Sequence, residues 1–210
     1  AYTVAAAGII VDMTLTSGNV RSAGSGDAAG IGVDTLVNIE GITGSAFDDI
    51  YQANAVGGIS FYGAGGNDTL LGGAGSDHLH GGDGDDFIDG AGGMDSTTFR
   101  ASSNGVIVSL AIAGAQNTGQ GLDTITGVEN LEGSIFDDTL TGNDQNNVLD
   151  GREGNDSLIG GAGDDQLLGG SGANRFNGGD GNDTILASIG SADISVYSVG
   201  DDQDVYYDLE

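Results

Sequence analysis

A chain of 210 residues with 42 glycines, no proline and no cysteine has no disulfides and offers no thiolate to a metal. Four Lys plus Arg against 32 Asp plus Glu leave a net charge of −28, which disfavours nucleic acid and anionic lipid as partners and self-repels unless a counter-charge is present. No apolar run approaches the roughly 18 residues of a membrane span.

Acidity and abundant glycine on their own suit a disordered linker. Apolar residues at fixed spacing argue against that, at least when the charge is neutralised. The chain begins at Ala1-Tyr2, without Met or a charged leader, and reads as an excised or processed piece of something longer. Residues 1–43 are irregular, with an apolar GIIVDM stretch from Gly8 and about eight extra residues near Gly18 to Gly32 relative to the second copy described below. From residue 44 a nine-residue grammar begins: glycine at positions 1 and 4, Asp or Asn at position 6, an apolar residue at position 8. It starts weakly as GSAFDDIYQ, slips by one residue between Ala53 and Tyr62, then runs from Gly63 as GAGGNDTLL, GGAGSDHLH, GGDGDDFID and GAGGMDSTT.

A second irregular segment, 99–132, places Val106, Val108, Leu110 and Ile112 on one face of a half-buried strand. The grammar returns at Gly133 as GSIFDDTLT and GNDQNNVLD, then GREGNDSLI, GGAGDDQLL, GGSGANRFN and GGDGNDTIL from Gly151. The blocks match at an offset of 88, Asp68 falling on Asp156 and Asp77 on Asp165. The chain therefore reads as two tandem modules, 1–98 and 99–186. A tail, 187–210, carries two strands that form either a hairpin at Gly200-Asp201-Asp202 or the start of a next unit. No stretch has a helical period, and the frequent glycines penalise helix.

Positions 7 to 9 form a three-residue strand whose middle side chain points inward. The core stripe is then Tyr51, Phe61, Leu70, Leu79 and Ile88 in the first module, and Leu131, Leu140, Leu149, Leu158, Leu167, Phe176 and Ile185 in the second. Strands this short are stable only when stacked into a sheet. The expected fold is all-β, a parallel β-solenoid of two nonapeptides per coil, so loops 18 residues apart lie one above another. Neighbouring strands lie about 4.8 Å apart, twice a calcium–oxygen distance of about 2.4 Å. A calcium ion can therefore bridge the position-6 groups of stacked loops, while the shorter bonds of Mg²⁺ leave the span too wide and hard oxygen donors exclude soft metals. The expected pairs are Asp49 with Asp68, Asp68 with Asp86, Asp77 with Asp95, Asp138 with Asp156, Asn147 with Asp165, Asp156 with Asn174, and Asp165 with Asp183. These make about seven sites. Asn147 and Asn174 lack the charge, so their sites are expected to be weaker. Two carboxylates about 5 Å apart repel by roughly 3 kcal/mol at an effective dielectric of about 20, so ion binding should appear as folding free energy.

GGAGDDQLL and GGDGNDTIL closely resemble the GGxGxDxUx consensus of the RTX (repeats-in-toxin, hemolysin-type calcium-binding) family, with strong matches over 63–95 and 151–185. The resemblance implies a right-handed parallel β-roll with Ca²⁺ between loops, liganded by the position-6 side chains and by loop carbonyls including Gly66, Gly75, Gly84, Gly154, Gly163, Gly172 and Gly181. It also implies type I secretion from a Gram-negative bacterium, with folding in extracellular calcium. Three units depart from the consensus: Gln145 stands at position 4, Arg152 at position 2 and Thr97 at the core position, marking half-sites or roll ends.

Other chemistry is weaker. His78 and His80 share an outer face and read as a solvent-facing pair rather than a transition-metal site. The repeat explains every Asp pair, so no catalytic dyad or nucleophile–base arrangement stands out and the fragment is not read as an enzyme. Regular outward threonine ranks, as on an ice-binding face, are missing. Leu168 and Leu186 on one outer face, with Leu71 and Ile159 on the other, are covered or scattered apolar residues, or a lateral contact. Two classes stand: a calcium-dependent structural and secretion module of a larger exoprotein, or a surface-layer, adhesin or matrix block that assembles laterally. The first is favoured.

Overall fold

A computed structural model describes residues 9–12, 18–22, 34–36, 41–53, 57–187, 192–196 and 204–208. Every regular element among them is a β-strand, half of them of three residues, and the long strand rows are parallel. The contacts divide the chain into two units, one of residues 1–97 with 120–128 and one of 98–119 with 129–210.

In the first unit, strands Ile9–Asp12, Ile50–Gln52, Thr69–Leu71, Phe87–Asp89 and Leu122–Thr126 pair in parallel, with Val11, Tyr51, Leu70, Ile88 and Ile125 in register. A second row holds Gly41–Thr43, Ser60–Gly65, His78–Asp83 and Ser96–Thr98, with Ile42, Phe61 and Leu79 in register. Tyr51 and Phe61 stack at a centroid distance of 4.9 Å. The extra residues of the opening segment contribute Gly18–Ser22, which pairs antiparallel with Ile9–Asp12 and with Asp34–Leu36.

In the second unit, one row runs Ile107–Ser109, Thr139–Thr141, Ser157–Ala162, Arg175–Asp180, Ile194–Val196. The other runs Asn130–Glu132, Val148–Asp150, Gln166–Gly170, Thr184–Ala187, Val205–Asp208. Val108, Leu140, Leu158 and Phe176 align in the first row, and Leu131, Leu149, Leu167 and Ile185 in the second.

Every side chain of the expected core stripe is buried, at 2 % exposure or less. Position 7 is half-buried or exposed, as at Thr69, His78, Gln166 and Arg175. This is the inward–outward alternation of a pleated strand compressed into three residues.

One expectation fails and one open alternative is decided. The face of Val106, Val108, Leu110 and Ile112 ends early: Val106 and Val108 are buried, but the strand stops at Ser109 and Ile112 is exposed. There the chain turns, with the Ile112 N–H reaching the Ser109 carbonyl. Of the two readings of the tail, the strands pair as the start of a next unit would and not as a hairpin. Ile194–Val196 adds in parallel to Arg175–Asp180, and Val205–Asp208 to Thr184–Ala187, so each prolongs a different row. The expected turn at 200–202 lies outside the described residues. The physical reason is that an open solenoid end offers unpaired backbone groups to the next strand.

Candidate metal centre

The position-6 side chains form ladders through the backbone. Asp68 Oδ1 accepts from the Asp49 N–H at 2.8 Å, Asp86 Oδ1 from the Asp68 N–H at 2.8 Å, and Asp95 Oδ1 from the Asp77 N–H at 2.7 Å. In the second unit, Asp156, Asn174, Asp165 and Asp183 accept in the same way from Asp138, Asp156, Asn147 and Asp165, at 2.7–2.9 Å. All seven expected pairs are thus adjacent, 18 residues apart or 19 across the slip. Each side chain reaches back one coil and fixes the register of the loop below it. All eleven position-6 residues, Asp49, Asp68, Asp77, Asp86, Asp95, Asp138, Asn147, Asp156, Asp165, Asn174 and Asp183, are buried.

The second carboxylate oxygen turns into its own loop. Asp77 Oδ2 accepts from the Gly73 N–H at 2.7 Å. Asp68, Asp156 and Asp165 each leave Oδ2 buried with no hydrogen-bond partner. Three orphaned carboxylate oxygens are costly in a dry interior, and a cation would satisfy them. Their protonation follows: burial above all, then the charges of Asp86, Asp49 and Asp48, raises Asp68 to about 8 against the pull of the Asp49 N–H. Burial likewise raises Asp86, Asp156 and Asp165 to about 7, with neighbouring carboxylates adding to it.

The glycines make room for these oxygens. A Cβ on Gly160 would lie 2.1 Å from Asp165 Oδ2 and 2.4 Å from the Gly178 carbonyl oxygen, so position 1 must be bare for both oxygens to approach. A Cβ on Gly172, at φ +121, would lie 1.8 Å from the Gly154 carbonyl oxygen one coil below. Of the glycines expected to offer carbonyls, Gly66, Gly84, Gly154, Gly163, Gly172 and Gly181 have positive φ, whereas Gly75 does not. The carbonyls of position 1, as at Gly81, Gly160 and Gly178, approach the loops equally closely and were not expected.

Sequence reasoning also missed three rungs. Asp123 Oδ1 accepts from the Asp86 N–H at 2.9 Å, Asp193 Oδ1 from the Asn174 N–H at 2.7 Å, and Asp204 Oδ1 from the Asp183 N–H at 3.1 Å. The signal for Asp123 was present: Gly121-Leu122-Asp123-Thr124-Ile125 follows positions 4 to 8 of the repeat, hidden by a spacing of 37 residues from Asp86. The slip has its own consequence, since Ile59 takes the position-6 place and offers only its N–H, to Asp77 Oδ1 at 2.8 Å.

A second ladder runs outside the first. Asp48, Asn67 and Asp85, at position 5, accept from the N–H of Asn67, Asp85 and Leu122 one coil above at 2.8–2.9 Å. Asp137, Asn146, Asn155 and Asp164 do the same in the second unit. Position 5 therefore reaches forward while position 6 reaches back.

Among the described residues, no group of three or more His, Cys, Asp or Glu side chains surrounds a common point. The donors that converge are one or two side-chain oxygens with backbone carbonyls, the hard oxygen set that suits calcium. Of the departures, Arg152 stands at φ +74 and its Nε meets Glu132 at 3.0 Å, Gln145 is exposed, and the Thr97 hydroxyl is buried with no hydrogen-bond partner. The imidazole of His78 meets the Ser96 hydroxyl, and His80 lies edge-on to Tyr62.

The model of the RTX calcium-binding nonapeptide repeat matches four times, at residues 62–96, 123–158, 132–167 and 159–191. No curated protein matches the chain.

Proposed function

Because its repeats over 62–191 place this chain in the RTX calcium-binding nonapeptide repeat family, we propose that it is the calcium-loaded scaffold of a larger bacterial exoprotein. In this reading it leaves a Gram-negative cell by type I secretion and folds as it meets extracellular calcium. Asp68, Asp77, Asp86, Asp95, Asn147, Asp156, Asp165, Asn174 and Asp183 hold the ions, together with loop carbonyls such as those of Gly66, Gly84, Gly154, Gly163, Gly172 and Gly181. One ion for each stacked pair among these would give about five, and about seven if Asp49 and Asp138 also take part. Calcium supplies positive charge and oxygen coordination. The chain supplies the rest: Oδ1 of each rung holds the coil below, glycine keeps the loop open, and the apolar stripe holds the two rows together.

The observation that carries this reading is the buried, unpartnered Oδ2 of Asp68, Asp156 and Asp165. Protein interiors rarely leave a carboxylate oxygen so. Calorimetric titration of the metal-free chain tests it. Several calcium ions should bind, with magnesium at the same concentration failing to displace them. Equal binding of both ions, or of neither, contradicts it.

A further inference from the structure

Two loops break the pattern in the same way. GSAFDD at 44–49 and GSIFDD at 133–138 carry serine at position 2 and phenylalanine at position 4. Ser134 is fully buried. Its hydroxyl donates to Asp138 Oδ1 at 2.8 Å and accepts from the Phe136 N–H at 3.0 Å. Its N–H donates to Asp138 Oδ2 at 2.6 Å, and the Val106 N–H donates to Oδ1 at 2.8 Å. Ser45 repeats the arrangement: its hydroxyl lies 3.1 Å from Asp49 Oδ1, its N–H 2.7 Å from Oδ2, and the Phe47 N–H 3.2 Å from its Oγ. The Ile9 N–H and the Tyr51 hydroxyl add two further donors to Asp49.

Both oxygens of Asp49 and of Asp138 are therefore met by protein donors. One coil above, Asp68 and Asp156 each leave Oδ2 without one. The backbone differs as well. Gly66 and Gly154, at position 4, have positive φ, while Phe47 and Phe136 keep the ordinary negative range. A hydroxyl proton and a cation compete for the same carboxylate lone pairs, and charge-assisted bonds to three or four donors satisfy a buried carboxylate without a metal.

We propose that Ser45 and Ser134 close these two loops with a hydroxyl in place of an ion, so that Asp49 and Asp138 are hydrogen-bonded rungs and not calcium ligands. The inference rests on the calcium reading of the other loops and lowers the expected count from about seven ions to about five. It also gives the two loops a task. Each receives the N–H of an opening strand, Ile9 in one unit and Val106 in the other, so the join between irregular segment and repeat block needs no metal.

Ions on the full chain, counted by native mass spectrometry in calcium, test it. Ser134→Gly with Phe136→Gly converts GSIFDD to GGIGDD, which satisfies the repeat grammar. That variant should carry one more ion than the parent, as should Ser45→Gly with Phe47→Gly. An unchanged or lower count overturns the inference, whereas a parent chain that binds no calcium overturns the calcium reading itself. Terbium-soaked crystals of the parent chain give an independent readout should the variants not fold. Anomalous peaks are expected in loops 151–156 and 160–165 and not in 44–49 or 133–138. A peak in either serine loop overturns the inference.

Discussion

An aspartate at position 6 does two different things with its two oxygens. Oδ1 of Asp165 holds the Asn147 N–H of the coil below at 2.7 Å, while Oδ2 faces the loop with no donor. The first role needs only an acceptor, which is why Asn174 performs it for the Asp156 N–H at 2.8 Å. The second role needs charge, and there the pH dependence follows. The folded-state pKa values of Asp68, Asp86, Asp156 and Asp165, about 7 to 8, stand above the unfolded value of about 3.9. The metal-free fold therefore binds more protons than the unfolded chain between those values, and its stability falls as pH rises from about 4 through about 8. In chelator the chain should therefore gain strand content as pH falls from about 8 to about 5, where protons take the place of an ion on the buried carboxylates. Far-UV circular dichroism in chelator at the two pH values measures this. Equal strand content at both would show that these carboxylates are not protonated in the metal-free fold.

At the scale of the element, a three-residue strand such as Val148–Asp150 gains its stability from the coils on either side, so anything that separates two coils is felt along the row. Gly172 is such a place, with its φ of +121 and the Gly154 carbonyl oxygen 1.8 Å from where a Cβ would sit. Gly172→Ala should destabilise the calcium-loaded fold by about 2 kcal/mol or more, through backbone strain and the forced separation of loops. Urea unfolding in saturating calcium measures this, and a variant as stable as the parent would mean that the loops are not packed this closely. The stripe from Leu131 to Ile185 and the pairing at 18 residues were legible because a short period writes the same contact many times. Asp123 was not, because 37 residues separate it from Asp86 and no local spacing betrays the pairing. The tail stayed open between a hairpin and the start of a next unit because Gly200-Asp201-Asp202 is sound local turn chemistry. What decides the pairing of Val205–Asp208 is the open edge of Thr184–Ala187, which is not local. The serine closure of Asp138 was hidden for another reason: the sequence shows a missing glycine but not where a hydroxyl points.

For the whole molecule, charge decides. A net −28 is carried on a fold that buries ten aspartates among its described residues, and only four arginine charges oppose the acidic side chains. Stacked carboxylates repel by roughly 3 kcal/mol per neighbouring pair at an effective dielectric of about 20, which is comparable with burying one leucine. Fixed hydrogen bonds hold the coils in register but do not neutralise the charge. On the proposed reading the counter-charge comes from bound ions, which makes ion binding part of folding. The central claim is therefore that calcium and the β-roll appear together. Far-UV circular dichroism of the full chain at neutral pH, titrated with calcium from a chelated start, tests this most directly. The account predicts a largely disordered spectrum in chelator that turns to strand cooperatively as calcium is added and reverts on chelation. Unchanged strand content after complete removal of calcium would contradict it.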